Sequence, residues 1–121
     1  MKIYKNKQFI RWQNKNKISN SLIIQAIEEM ESGLVDADLG GSLFKKRIAK
    51  PGQGKSGGYR TIVAMKQVFG WVFLFGFSKN ESDNISSKEL IALKEYTNDY
   101  LFVNFIELLK IEEIIEVLND E

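Results

Sequence analysis

A cluster of lysines and arginines around a glycine-rich segment contains the residues of this chain that could do chemistry. From Leu39 to Lys79 the chain has eight Lys or Arg residues and no Asp or Glu: Lys45, Lys46, Arg47, Lys50, Lys55, Arg60, Lys66 and Lys79. Because the whole chain has a net charge of only +1, this uncompensated run indicates a polyanion as binding partner. The alternative is a solvated sheet face that binds nothing.

The segment Gly54-Lys55-Ser56 resembles the end of a nucleotide-binding phosphate loop. Two features of its context differ from that motif. Ala49 occupies the position of the first glycine, and strand-forming residues follow Ser56 where the motif needs a helix. Without a helix N-terminus, the amides and the dipole that hold a nucleotide's phosphates are missing. Amides of a glycine-rich turn can still bind a nucleic-acid phosphate, so that interpretation stays open.

Histidine and cysteine are both absent from the chain. Their absence removes the usual zinc and copper ligands and any thiol nucleophile, and we expect neither a metal nor a cofactor. A general acid or base must then be Lys, Arg, Tyr, Asp or Glu. Tyr59 is equally consistent with stacking on a base and with packing at the rim of the core. Lys79 is a proton-transfer candidate at the end of a strand, unless it only extends its amine to solvent or pairs with Glu81.

The pattern around the basic cluster predicts a sheet preceded and followed by helices. Leu22, Ile23, Ala26, Ile27 and Met30 recur at helical spacing after a potential Ser19 N-cap, which predicts a helix over residues 20–32 ending at Gly33. Residues 43–50, 59–66 and 71–77 predict three neighbouring antiparallel strands, with a hairpin turn at 67–70. Because successive side chains of a strand point to opposite faces of the sheet, Lys45 and Arg47 are predicted on one face and Lys46 and Lys50 on the other. Residues 3–11 fit either a strand or a helix, and residues 35–41 are typical of a turn.

The C-terminal part of the chain is predicted to be helical and acidic. Ser86 and Glu89 form a capping-box pattern at the start of a helix over residues 87–102, and a second helix is predicted over 105–118. Residues 104–121 contain six acids and one lysine, a net charge of −5. We therefore predict a basic domain over residues 1–103 and an acidic helical extension over 104–121 that packs on the same domain. We expect a cytoplasmic protein, because no apolar run fits a signal peptide or a membrane span.

Several motifs of the chain resemble one known protein family. They are Leu39-Gly40-Gly41, the run FKKRIA at 44–49, PGQGKSGGYRT at 51–61, FGFSKNE at 75–81, and Asn84-Ile85-Ser86. In this order and spacing they resemble the RelE/HigB-like toxins of bacterial type II toxin–antitoxin systems. The resemblance covers about residues 9–102. It implies an α+β fold with N-terminal helices, a twisted antiparallel sheet of three to four strands, and C-terminal helices.

The resemblance also implies a function and a set of site residues. The function is ribosome-dependent messenger-RNA cleavage by an endoribonuclease (an mRNA interferase), by metal-independent attack of the ribose 2′-hydroxyl, with a cognate antitoxin as partner. By position, the residues matching the family's catalytic cations are Lys45, Arg47, Arg60 and Lys79. We expect RNA contacts from three further lysines of the cluster, Lys46, Lys50 and Lys55, and from Tyr59.

Two positions depart from the family pattern. Asn80 stands where relatives place an arginine, and no tyrosine lies near Ser86, since Tyr96 and Tyr100 come later in the chain. The identity of the general acid and base therefore stays open. Two alternatives remain: a non-catalytic module that binds RNA or an antitoxin, and a gyrase-directed toxin of the ParE type. The oligomeric state also stays open.

Overall fold

The fold is given by a computed structural model that describes residues 1–50, 52, 54–78 and 84–118, with the backbone alone for 54–57. The chain begins with strand β1 (Ile3–Asn6), and helices α1 (Lys7–Lys15) and α2 (Asn20–Glu31) follow. Four strands come next: β2 (Ala37–Gly40), β3 (Leu43–Lys50), β4 (Gly54–Lys66) and β5 (Gly70–Ser78). The C-terminal part comprises α3 (Ser87–Glu95), a π-helical segment (Tyr96–Leu101), α4 (Phe105–Lys110) and β6 (Ile114–Glu116).

Within the described residues, all six strands form one sheet in the order β2-β3-β4-β5-β1-β6. β1 runs parallel to β5, and the other neighbouring strands are antiparallel. The three central antiparallel strands were predicted from the sequence, and the α+β class is confirmed. The expectation of an antiparallel sheet is wrong at β1, because its parallel pairing with β5 makes the sheet mixed. The predicted number of strands is too low, because β1, β2 and β6 have only three or four residues each, too few for a clear periodic pattern.

Helices α1 and α2 cover one side of the sheet, called here the N-helix face and lined by Ile48, Tyr59, Val63, Trp71 and Phe73. The predicted Ser19 cap is present: its side chain accepts a hydrogen bond from Leu22 N, and α2 buries Ile23, Ala26, Ile27 and Met30. Gly76 lets α1 approach β5 closely, since a Cβ there would lie 2.3 Å from the Trp12 ring. The sequence pattern therefore gives the correct buried face of α2.

The C-terminal elements cover the opposite side, the C-helix face, lined by Leu43, Ile62, Ala64, Val72 and Leu74. Leu101, Phe102, Phe105 and Leu108 pack onto it. The capping box at Ser86 and Glu89 is present, as predicted. Asn98 donates a hydrogen bond to the Gly41 carbonyl, which fastens the π-helical segment to the turn between β2 and β3. The core is thus divided into two layers by the sheet.

The predicted helix over residues 105–118 is wrong in its second half. α4 ends at Lys110, and Glu112 adopts a positive φ of 60° that a continuing helix does not allow. The chain then forms β6, which pairs antiparallel with β1 and buries Ile114. The described part of the acidic segment is therefore partly a strand of the main sheet, at the edge opposite β2.

Candidate nucleic-acid interface

The central strands bring three of the predicted site cations together on the C-helix face. Arg47 on β3 lies directly opposite Arg60 on β4, and Lys45 lies opposite Ile62. Because alternate residues of a strand share a face, Lys45 and Arg47 lie on the same side as the buried Leu43. We call Lys45, Arg47 and Arg60 the cationic row. Two like charges directly opposite one another destabilise a sheet, so this arrangement favours an anionic ligand.

Lys45 has no polar partner within the described part of the chain. Its side chain is half-buried, between Ala37 on β2 and Ile62 on β4 in the cross-strand register. No hydrogen bond or ion pair involves its amine in the described residues. A half-buried ammonium group without a counter-ion is costly to desolvate. Lys45 is therefore the cation of the row that is most available to an incoming phosphate.

The two arginines of the cationic row are held by the protein. Asp36 accepts hydrogen bonds from the Arg47 backbone N–H (2.6 Å) and from its Nε (3.1 Å), while the Arg47 side chain remains 41% exposed. Arg60 is only 9% exposed and donates from Nη1 to the Gly58 carbonyl at 3.2 Å. Arg60 also lies opposite Phe77 on β5. Both guanidinium groups are therefore oriented before any ligand binds.

The structure contradicts the prediction that Lys46 contacts RNA. Its side chain points to the N-helix face and is 3% exposed, in an ion pair with Glu29 of α2 at 2.8 Å. The amine also donates to the Leu34 carbonyl at 2.8 Å. Lys46 is one residue from Lys45 and points to the opposite side of the sheet, as alternation predicts. It holds α2 on β3 and is not available to a surface ligand.

Tyr59 and Lys50 also lie away from the cationic row. Tyr59 is 6% exposed and packs edge-on against Trp12 with the ring centroids 5.4 Å apart, so of its two predicted roles the structure favours packing. The Lys50 amine lies 5.9 Å from the centre of the Tyr59 ring, a cation–π contact on the N-helix face. The buried Tyr59 ring is not free to stack on a base, which contradicts its predicted RNA contact.

The glycine-rich segment forms the start of β4. Gly54 to Gly58 are part of this strand, so no helix follows Ser56 and the phosphate-loop interpretation is excluded, as the sequence context indicated. The side chain of Lys55 and the whole of Lys79 lie outside the described residues. The predicted roles of these two lysines therefore stay predictions.

A cavity of about 590 Å³, which was not predicted from the sequence, has Phe75 of the C-helix face in its wall. It lies between the first turns of α1, the C-helix face and α3. Its walls include Gln8, Arg11, Phe75, Glu89, Leu93 and Tyr96. The Phe75 ring lies 5.9 Å from Phe77, which is opposite Arg60. The sequence signal was Tyr96, which was considered from the sequence only as lying later in the chain than Ser86.

Burial raises the pKa of Tyr96 above its usual 10.0, partly offset by a hydrogen bond with the Asn6 side chain. Burial also raises the pKa of Tyr4, with a further contribution from the nearby Glu116 carboxylate. Both phenols therefore stay protonated at neutral pH. A protonated Tyr96 in the cavity wall can donate a hydrogen bond, but it is a poor general base.

The described residues contain no group of three or more His, Cys, Asp or Glu side chains placed to hold a metal ion. They also contain no helix whose length and apolar content would let it cross a membrane.

The fold and the cationic row define a class of protein: a small α+β domain with a sheet face suited to a polyanion. Within this class, residues 1–117 match the family described as the RelE toxin of the RelE/RelB toxin–antitoxin system. The chain therefore belongs to this toxin family, whose members act with a cognate antitoxin. The match extends beyond residue 102, where the resemblance in the sequence ended. Comparison with curated proteins gave no match.

Proposed function

We propose that the protein is a ribosome-dependent endoribonuclease that inhibits translation in the cytoplasm by cutting messenger RNA. The observation that carries the proposal is the cationic row. Arg47 and Arg60 lie opposite one another on neighbouring strands, and Lys45 lies beside them without a polar partner in the described residues. This concentration of positive charge on one sheet face suits a phosphate that gains negative charge during a reaction.

The proposed reaction is an internal transfer of the phosphate within RNA. The ribose 2′-hydroxyl passes its proton to solvent water as its oxygen forms a new bond to the adjacent phosphorus. The bond from phosphorus to the 5′-oxygen breaks, and that oxygen takes up a proton. The products are a 2′,3′-cyclic phosphate and a 5′-hydroxyl, with no change in oxidation state. The need for a 2′-hydroxyl restricts the substrate to RNA.

The three cations have distinct roles in this reaction. Arg60 is fixed by its hydrogen bond to the Gly58 carbonyl, which suits it to stabilise the charge on the non-bridging phosphate oxygens. Arg47 donates from Nε to Asp36, and its terminal nitrogens have no partner among the described residues, so they can make a second phosphate contact. Lys45, as an ammonium group, donates the proton to the leaving 5′-oxygen. Lys79 is the second proton-transfer candidate that the resemblance supplies.

A second candidate function is a non-catalytic module that binds RNA or the antitoxin. The ion pair between Arg47 and Asp36 favours it, because the protein itself neutralises one cation of the row. The low exposure of Arg60 also favours the non-catalytic module, since a phosphate reaches a buried guanidinium group less easily. The two candidates differ in whether transcripts are cut.

The deciding experiment is induced expression of the wild-type protein and of Arg60→Ala, each with and without the product of the neighbouring gene. Messenger-RNA ends are mapped and growth is recorded. We expect wild-type protein to stop growth and to create new 5′-hydroxyl ends in translated transcripts. Removing one charge-stabilising donor is expected to lower cleavage by about 100- to 1,000-fold. Coexpression of the antitoxin is expected to restore growth.

Two controls make the comparison specific. Lys88→Ala removes one positive charge from an exposed position at the start of α3 and is expected to cut normally. Arg60→Lys keeps the positive charge in a side chain of similar size but loses the planar guanidinium group. It therefore tests whether phosphate binding needs the bidentate hydrogen bonds of arginine as well as its charge. If wild type and Arg60→Ala are equally harmless and transcripts stay intact, the nuclease is excluded and the binding module stands. Growth arrest with intact transcripts points to another target.

A further inference from the structure

The cavity on the C-helix face exists because neighbouring strands end at different points. β1 pairs with β5 only through residues 3–5, whereas β5 continues to Ser78. The first turns of α1 leave the sheet at this point, and α3 closes the other side. The resulting space of about 590 Å³ is within the size range of small-ligand sites. It has aromatic, cationic and acidic walls, which is not the composition of a packing defect.

Its polar walls include an arginine and a glutamate that do not pair with each other. Arg11 is exposed and makes no hydrogen bond or ion pair among the described residues. Glu89 uses Oε1 to accept from Ser86 N and Oγ, which leaves Oε2 for another donor. The other two charged residues of the wall, Lys7 and Glu113, form an ion pair at 3.5 Å, so Arg11 and Glu89 are the charges that a bound group could engage.

The aromatic walls are Phe75 and Tyr96, both half-buried. Phe75 lies opposite Ile62, which in turn lies opposite Lys45, so the cavity and the cationic row share the C-helix face. Aromatic side chains next to a phosphate site are the usual means by which proteins bind an unstacked RNA base. A base in the cavity would therefore belong to a nucleotide bound on the sheet face that also carries the cationic row.

We propose that this cavity is a nucleobase subsite selective for guanine; the proposal rests on the nuclease function above and names part of its substrate. Arginine contacts guanine O6 and N7 with two hydrogen bonds, a pairing that Arg11 can make. Guanine also carries N–H donors on its opposite edge, which the free Glu89 oxygen can accept. Adenine has an amino group where guanine has O6, and uracil has an N3–H donor beside O4 but no N7 to complete the two-bond contact with arginine. Neither therefore satisfies Arg11 and Glu89 together.

The test is a titration of the purified protein with nucleoside 5′-monophosphates, followed by the NMR signals of Phe75 and Tyr96. GMP, IMP, AMP, CMP and UMP are compared with inorganic phosphate, which measures the contribution of the phosphate alone. We expect GMP to bind at least about 10-fold more tightly than AMP, the discrimination typical of one bidentate contact to a base. IMP lacks the guanine amino group and is expected to fall between them.

Two variants and one matched control test whether the preference for GMP depends on residues of this cavity. Arg11→Gln is expected to remove the preference for GMP over AMP, and Phe75→Leu to weaken all five nucleotides while phosphate binding persists. Lys15→Gln removes the same charge one turn further along α1 and is expected to change nothing. Thermal unfolding of each variant checks that it is folded.

Equal affinity of all five nucleotides and inorganic phosphate overturns the subsite, even if the protein cuts RNA. The preference for GMP without RNA cleavage supports the subsite and removes only the nuclease function. If the cavity instead holds an antitoxin side chain, Phe75→Leu lowers antitoxin affinity and GMP has no advantage over phosphate. That result also overturns the subsite.

Discussion

Replacing Lys45 and Lys46 separately with methionine tests the division of the basic cluster into a functional and a structural part. The two residues are adjacent on β3 and carry the same charge, so long-range electrostatic effects of the two changes are matched. Lys46→Met is expected to destabilise the fold, whereas Lys45→Met is expected to abolish RNA cleavage with little change in stability. Methionine keeps most of the aliphatic volume in both cases.

The expected loss of unfolding free energy in Lys46→Met follows from the contacts that the Lys46 side chain makes. Its side chain is 3% exposed and pairs with Glu29 at 2.8 Å. Removing one partner of a fully buried pair costs about 3–5 kcal/mol. Glu29 is 20% exposed, so water partly replaces the lost amine. The Leu34 carbonyl also loses its hydrogen bond from the amine. We therefore expect the free energy of unfolding to fall by about 2–3 kcal/mol.

Lys45 lacks such contacts in the described residues, so its replacement is expected to change the free energy of unfolding by less than about 1 kcal/mol. Urea unfolding followed by tryptophan fluorescence measures both variants, and mapping of RNA ends measures cleavage. A double-mutant cycle with Glu29→Gln isolates the coupling to Lys46. The reasoning is refuted if Lys46→Met is as stable as wild type, or if it is folded and fails to cut RNA.

Three further changes test the elements around the site. Gly76→Ala places a Cβ 2.3 Å from the Trp12 ring, and overpacking of this kind is expected to cost about 1–3 kcal/mol in urea unfolding. Asp36→Asn can no longer accept from Arg47 with two oxygens, so we expect several-fold slower cleavage, with a change in unfolding free energy below about 1 kcal/mol. The raised pKa of Tyr96 stabilises the fold below the ordinary value of 10.0. This stabilisation is expected to disappear as pH rises through the folded-state pKa, and a pH series of melts should show a smaller loss for Tyr96→Phe.

A specific result would contradict each of these three predictions. An unchanged urea midpoint for Gly76→Ala would mean that α1 can move away from β5 without loss. Normal cleavage by Asp36→Asn would remove the orienting role of Asp36. An identical alkaline loss of stability in Tyr96→Phe and wild type would show that other groups cause the pH dependence.

The sequence predicted those elements whose signals are local. Caps at Ser19 and Ser86 use hydrogen bonds within one helical turn, and both are present in the structure. The three central strands have enough β-forming residues to show their pattern. β6 could not be predicted in this way, because Ile111, Ile114, Ile115 and Leu118 have helical spacing. A positive φ at Glu112 and pairing with β1 override that local pattern.

In the candidate site, too, some features follow from the local sequence and others from tertiary contacts. The sequence determined which cations occur and that Lys45 and Lys46 point to opposite sides of β3, because the side-chain alternation of a strand is fixed locally. Only the tertiary structure decided that Glu29 of α2 engages Lys46 and that Arg47 lies opposite Arg60. The cavity is likewise a tertiary feature, because it depends on where β1 ends relative to β5. Partners and empty spaces of this kind depend on contacts between residues far apart in the chain, and no local pattern encodes them.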